Sequence, residues 1–597
     1  MEQTIKENWE LDTLYAGGKD SKKLHETLNQ LKREIDRLHT KIGTVDDQLS
    51  FASCLRDVQK NLKGLRELED YIVCLYAVNV GEPDILKIMN EIDHVRSMFE
   101  ALFVDIDTHI DHFSVDQWNH FIQLQEVQDV RFYLEERRAG IKDRLPAEME
   151  KLINKLAING FIGWENYYEQ LMGELKILID KQGKVEEASI GQALMYLASP
   201  NRSLRKNTAE ALMDVLQQNG SSFATTFNRI SGFRLDVYEK RGWDNMLKEA
   251  MDKNRMKEKT LHTMLSAIRA KSYIMQPYLK RKAQLMKLKK MAWYDTDVPS
   301  FTSKNKITYA EAADLIITQF SKFSEKLGTF AANAFANGWI EAEDRKGKMH
   351  GGFCAYLPIA KESRIFLTYT GSYQDVVTIA HELGHAYHNY LVNDQPAFAQ
   401  ERSTSIAETA STFAENLVLD AVIDSASNEE EKLTLLEMKI GNGLKYQVTV
   451  PAMFDFEMKL YEQRKSGPLK PNEINELMTS TFKQVYGDTV KDMNPYLWMT
   501  IPHLYRTELP FYNFPYTIGY LLSNVMYAQY KENPVQFPAQ YDAFLKNTGK
   551  MTIEQLAAHY LKQDITDLSF WEASLQPTIE AIEQYKKLSE RKWQEMR

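Results

Sequence analysis

His381, Glu382 and His385 stand in the order His-Glu-Leu-Gly-His within the run TIAHELGHAYHNYL. Residues four apart on a helix lie one above the other on the same face, so both imidazoles can reach one metal ion. Two neutral histidines make a partial zinc site, and a carboxylate beside the first can take the proton that makes a metal-bound water nucleophilic. An amide is the bond such a water would attack. The plain alternative is a pair of core histidines and a glutamate satisfied by their neighbours.

A catalytic zinc keeps three protein ligands and one open position, so one more donor is needed. A second helix is predicted to begin near Arg402, with Glu408, Ser411 and Glu415 sharing a polar face with Thr404. Glu408 lies mid-helix among the small residues Ala407, Thr409, Ala410 and Ser411, which let two helices approach closely enough to share an ion. It is the expected third ligand, ahead of Glu415 and Glu401; read plainly, it is a solvent-facing glutamate. Glu415, seven residues on, is placed to hydrogen-bond a ligand histidine.

These residues need elements to hold them. Gln374 to Val392 has no proline and carries Val376, Val377, Ile379, Ala380, Leu383 and Ala386 on a broad apolar surface, which predicts a buried helix. Just before it the period changes from helical to alternating: Trp339–Glu343, His350–Leu357 and Arg364–Thr370 read as strands of a small sheet. In the last, Ile365, Leu367 and Tyr369 would face one way and Arg364, Phe366, Thr368 and Thr370 the other. An edge strand there could pair with an extended peptide, or its edge could be covered; the sequence favours neither.

The rest of the chain reads as helices. Leu24, Leu28, Leu31, Ile35 and Leu38 open a set of long helices between Ser21 and His112, with breaks at Gly43, at Gly81-Glu82-Pro83 and at Phe113-Ser114, where Ser114 is a cap. Gly160 to Gly163 reads as a turn, and the polar LIDKQGKVEEAS as a boundary near residues 180–190. Two helices broken at Ser199-Pro200-Asn201 follow, and a long polar helix runs from Phe570 to Met596. The expected division is an N-terminal helical domain over 1–190 and a catalytic domain over 191–597.

Composition excludes several classes. With 73 Lys and Arg against 83 Asp and Glu the net charge is −10, and no basic stripe interleaves with aromatics, so nucleic acid is not an expected partner. Cys54, Cys74 and Cys354 form no CxxC pair, which fits neither a disulfide framework nor a cysteine metal site. No apolar run approaches the length that crosses a membrane and the first residues lack a signal sequence, so a soluble cytoplasmic protein is expected.

Four stretches, GSYQDVVTIAHELGHAYH, SIAETASTFAENL, GGFCAYLP and IPHLYRTELPFYNFPYTIGYLLS, together with WELDTLY and FNRISGFRLDVYEKRGWDN, carry a resemblance over nearly the whole chain. They resemble the zinc peptidases that include oligoendopeptidase F and, more distantly, thimet oligopeptidase. The resemblance implies a mostly α, elongated zincin-type fold with a deep substrate channel and a small β-sheet beside the metal helix. It implies one zinc ion on His381, His385 and Glu408, with Glu382 as general base. It also implies that His503, Tyr512, Tyr516 and Tyr520 supply the groups that face the metal and stabilise the oxyanion, Tyr520 being the best match; their plain reading is aromatic core. His388 is read as structural or as supporting a ligand.

By that resemblance the expected activity is internal cleavage of short unstructured peptides, with the N-terminal helices forming a channel wall or lid. The alternatives are a dipeptidyl carboxypeptidase of the same fold, a noncatalytic peptide-binding protein, and a zinc hydrolase with a non-peptide substrate. Cobalt or manganese could also occupy such a site. The sequence leaves oligomeric state open.

Overall fold

The structure, a computed structural model, describes residues 5–181, 183–301 and 306–595. Helices dominate, and among the described residues the strands form one three-stranded sheet and two pairs. Two compact units result. One is built from Met1–Lys151, Asn305–Ala421 and Val525–Gln563, the other from Leu152–Lys304, Val422–Asn524 and Asp564–Arg597. A cut near residue 190 is a boundary in chain order, whereas each unit draws on three stretches of chain. No helix among the described residues is long and apolar enough to cross a membrane.

The first unit opens with three long helices, α1 (Lys22–Ile42), α2 (Gln48–Val78) and α3 (Pro83–Asp111). Leu24, Leu28, Leu31, Ile35, Leu38 and Ile42 recur at three- and four-residue spacing on α1 and are all buried, as the periodicity predicts. They pack with Phe51, Val58 and Leu68 of α2 and Val95, Phe99 and Leu102 of α3 in one core. Asp47 caps α2 by accepting from the Ser50 amide at 2.9 Å, and Pro83 occupies the first turn of α3 where no amide donor is needed. Ser114 caps the next helix in a reciprocal box with Gln117, where the sequence placed a cap.

Three strands follow: β1 (Ile340–Glu341), β2 (Phe353–Leu357) and β3 (Glu362–Phe366), in the order β1-β3-β2. β2 runs antiparallel to β3, with Cys354 opposite Ile365 and Tyr356 opposite Ser363, and β1 is parallel to β3. The strands are shorter than expected and β3 starts at Glu362, two residues early. Both of the faces that the sequence predicts for β3 are covered. Ser363, Arg364, Ile365 and Phe366 are all buried; the Arg364 Nη atoms donate to the carbonyls of Glu10 and Ser363, to Thr13 and to Glu362, while its Nε is buried without a partner.

The outer edge of β2 is met by carboxylates of α2. Asp70 Oδ2 accepts from the Tyr356 amide at 2.5 Å, and Glu67 Oε2 accepts from the Ile359 and Ala360 amides at 2.7 and 2.8 Å. Burial pushes the Asp70 carboxyl up to about 7. The edge is therefore covered at Tyr356.

Beyond the sheet lie α4 (Tyr373–Val392) and α5 (Thr404–Asp424). Ser372 and Asp375 form a capping box that starts α4, and a single 3-10 turn, Ala397–Gln400, separates the two helices.

In the second unit a 40-residue helix, Arg202–Arg241, starts at an Asn201 cap and ends at Gly242, whose φ of 70° needs the freedom of glycine. Its first turn is tied down by Arg202 and Arg205, both bound to the buried Asp295 at 2.8 and 2.9 Å. Three expectations are corrected here. The stretch 178–189 is a β-hairpin, Ile177–Lys181 paired with Lys184–Ala188, because Ile177 and Ile179 alternate inward and Asp180 accepts from the Gly183 amide in the turn. Residues Ile158–Ile162 form one π turn linking two helical segments instead of a break. The final helix is split into Leu568–Ser574 and Gln576–Glu595, since Pro577 cannot continue the earlier hydrogen-bond ladder; Met596 lies outside the described residues.

Candidate metal centre

α4 places His381 and His385 one turn apart with their rings 4.9 Å apart and nearly perpendicular. Across from them on α5, Glu408 Oε2 lies 3.5 Å from His381 Nε2 and 3.8 Å from His385 Nε2. One ligand atom from each residue falls within 4.8 Å of the other two. Two imidazoles and a carboxylate converging on one point form a donor set that fits a zinc ion with one position left for water.

The helices can come this close because of Gly384, which faces α5. A Cβ there would meet Ala410 O and Ser411 Cα at 2.7 Å and Ala414 Cβ at 3.0 Å. The small residues on the α5 side were legible in the sequence as permitting approach; the matching glycine on the metal helix was overlooked, although a mid-helix glycine normally costs about 1 kcal/mol and so signals a reason.

Supporting bonds fix the ligands. His381 Nδ1 donates to Glu415 Oε1 at 2.6 Å, which turns Nε2 toward the centre, as expected for Glu415. Ser411 Oγ donates to Glu408 Oε2 at 3.1 Å. His388 is fully buried, with Nε2 against Leu545 O and Thr548 Oγ1, and so has a structural place outside the donor set. Glu401, the weaker candidate ligand, is paired with Arg66 of α2. Replacing Glu415 by Gln is expected to weaken metal affinity about 10- to 100-fold, because the neutral amide holds His381 less firmly. Competition against a calibrated chelator measures this, and an unchanged affinity would remove Glu415 from the site.

Electrostatics separate the residues. Burial lowers the His381 pKa, but the hydrogen bond and charge of Glu415, with Glu382 and Glu408, outweigh it and push it up to about 9. His385 has no such partner, and burial, His381 and Arg402 hold it well below the usual imidazole range, neutral and ready to coordinate. Glu382 is only 6 % exposed; burial first, then the like charges of Glu408 and Glu415, raise it to about 7 against the opposing pull of His381. A carboxylate poised there can both accept and return a proton near neutrality. Gly352, just before β2, lies against this carboxylate: a Cβ there would be in ordinary contact with Glu382 Oε1 at 3.4 Å and closer, at 3.2 Å, to Phe366 O. The sequence marked this glycine only as punctuation.

The C-terminal candidates belong to the second unit. His503, Tyr512 and Tyr516 form one aromatic cluster, with ring separations of 5.0, 5.8 and 5.9 Å, and all three are partly exposed. Burial, with Arg506 and Lys445 nearby, lowers His503 to about 4, so it is neutral at ordinary pH. Tyr520 is buried, stacked on Tyr446 at 4.8 Å, with its hydroxyl 3.3 Å from Thr578 Oγ1.

The model of peptidase family M3 matches residues 195–574, more than half the chain, and the oligopeptidase F model matches residues 112–177. The chain belongs to peptidase family M3. Among its relatives, an Oligopeptidase PepF of Bacillus subtilis is 25% identical over 376 residues, covering 62% of this chain and 55% of the relative. A chromosomal Oligoendopeptidase F of Lactococcus lactis subsp. cremoris is 24% identical over 382 residues, covering 62% of each, so the match spans less than two thirds of either relative. An Oligoendopeptidase F homolog of Lactococcus lactis subsp. lactis is 22% identical over 95% of both chains. The crystal structure of oligoendopeptidase-F from Enterococcus faecium superposes with a TM-score of 0.73 at 17% identity, covering 95% of this chain and 99% of that one, so the two share a fold.

Proposed function

We propose that this M3 family member is a zinc-dependent endopeptidase that hydrolyses internal bonds of short, unstructured oligopeptides. The convergence of His381, His385 and Glu408 beside the buried Glu382 carries the reading. A zinc ion held by these three residues would supply the Lewis acidity that polarises a peptide carbonyl. Glu382 takes a proton from the attacking water and passes it to the departing amine, a task for a buried carboxylate beside the donor set. Glu415 keeps His381 in the orientation that coordination needs. By family resemblance, a histidine or a tyrosine from His503, Tyr512, Tyr516 and Tyr520 would donate a hydrogen bond to the developing oxyanion; the Tyr520 hydroxyl is engaged by Thr578.

Mass-spectrometric mapping of products from neutral unstructured peptides about 5 to 20 residues long, a range suited to an extended-chain cleft, tests the reading. Internal cuts that vanish with a chelator and return with zinc are expected. Intact peptides in the presence of stoichiometric zinc would overturn it, and loss of C-terminal dipeptides alone would identify a dipeptidyl carboxypeptidase instead.

A further inference from the structure

Arg402 follows the 3-10 turn before α5, half-buried beside the metal helix. Its Nη2 donates to Asn389 Oδ1 at 2.5 Å, and Asn389 sits one turn past His385 on α4. Asn389 is itself fixed, since its amide donates to Ser363 Oγ of β3 at 3.1 Å, so its oxygen is held toward the arginine. The guanidinium is close enough for its charge to be felt at His385 and His388 and, on β2, at Cys354 and Tyr356. Among the described residues the Asn389 bond is its one hydrogen bond and no carboxylate forms an ion pair with it; the adjacent Glu401 is engaged by Arg66.

A guanidinium carries five donors in a rigid fork. Arg402 spends one on a fixed asparagine and has no nitrogen that is both buried and unpartnered, so its remaining donors are open to solvent and to a visiting anion. A planar carboxylate accepts two parallel N–H bonds from this fork. On the reading of the site as a peptidase centre, we propose that Arg402 is the recognition point for a substrate carboxylate, so that the protein selects peptides presenting a free C-terminus or an acidic side chain at a fixed distance from the bond that is cut. The two sources share one chemistry. Neither Glu382 nor the metal ligands can perform this task, because all of them are anionic or committed to the metal.

The test uses the full-length, zinc-loaded protein and its Arg402→Gln and Arg402→Lys variants. The substrates are isomeric neutral peptides in which one Glu is walked through every position, each prepared as the C-terminal acid and the C-terminal amide. In the unmodified protein one carboxylate placement is expected to raise kcat/KM about tenfold over the neutral amide, mainly through KM. That ratio should fall to near one in Arg402→Gln and to an intermediate value in Arg402→Lys, which keeps the charge but not the fork. Dependence on the acid against the amide identifies the C-terminus as the ligand; dependence on Glu position identifies a side chain. Equal cleavage of all peptides, or a ratio that survives Arg402→Gln, overturns the inference and leaves the peptidase reading standing. The same fluorescent-labelled peptides titrated onto Glu382→Gln read the preference as affinity without turnover, so an absence of any cleavage counts against the peptidase reading while the Arg402 preference is still decided. If Arg402→Gln does not fold, Arg402→Lys carries the comparison.

Discussion

Glu382→Gln is expected to bind zinc as tightly as the unmodified protein while losing about a thousandfold in kcat/KM, the middle of the range for removing a general base. The amide has the size of the carboxylate and fills the same buried space, so the packing of α4 is undisturbed. It cannot take a proton, and the attacking water loses the group that would receive one. The pH profile gives a second reading. Glu382 acts only when deprotonated, so activity should fall as pH drops through its pKa. Without metal, burial places that value at about 7, and a bound cation favours the charged form, so the acid limb should lie below 7. The residual activity of the variant should lack this limb. A full complement of zinc with near-normal turnover would remove Glu382 from the chemistry.

The second large effect is expected at a residue with no functional group. Gly384→Ala would drive a methyl to within 2.7 Å of Ala410 O and Ser411 Cα, both backbone atoms that cannot rotate away. α5 must then retreat from α4, taking Glu408 from the histidines it faces at 3.5 and 3.8 Å. Overpacking of this kind costs about 1–3 kcal/mol. Thermal unfolding should show the loss of stability, and chelator competition should show metal affinity reduced at least about tenfold, as when a ligand's support is lost. Gly441→Ala is the control: that glycine is also helical but has nothing within 4 Å of an added Cβ, so the change should be neutral or slightly stabilising. Unchanged metal affinity in Gly384→Ala would mean that the helix spacing does not set the site.

The sequence was most informative where chemistry and periodicity coincide. His381, Glu382 and His385 lie on one helical repeat, and the small residues around Glu408 announced a close neighbour, so three elements of the centre could be read without coordinates. What escaped depends on partners distant in the chain. The covered edge of β2 comes from Asp70, 286 residues before Tyr356, and nothing local in GGFCAYLP predicts it. Arg402 marked only the place near which a helix begins, because its lack of an ion pair goes with the pairing of Glu401 and Arg66. The hairpin at 177–188 was hidden by polar residues, since only two of its side chains, Ile177 and Ile179, carry the alternation on the first strand.

The interleaving of the two units constrains how the chain is made. The first unit needs residues up to Gln563, and its α1–α3 core includes Leu357 together with Ala397, Phe398 and Ala399. During synthesis the N-terminal helices therefore leave the ribosome long before the segments that complete their core. At roughly 5–20 residues per second, the interval from Lys151 to Gln563 is tens of seconds. Until Ala399 has emerged, the apolar surface of the N-terminal helices lacks the residues that complete its core.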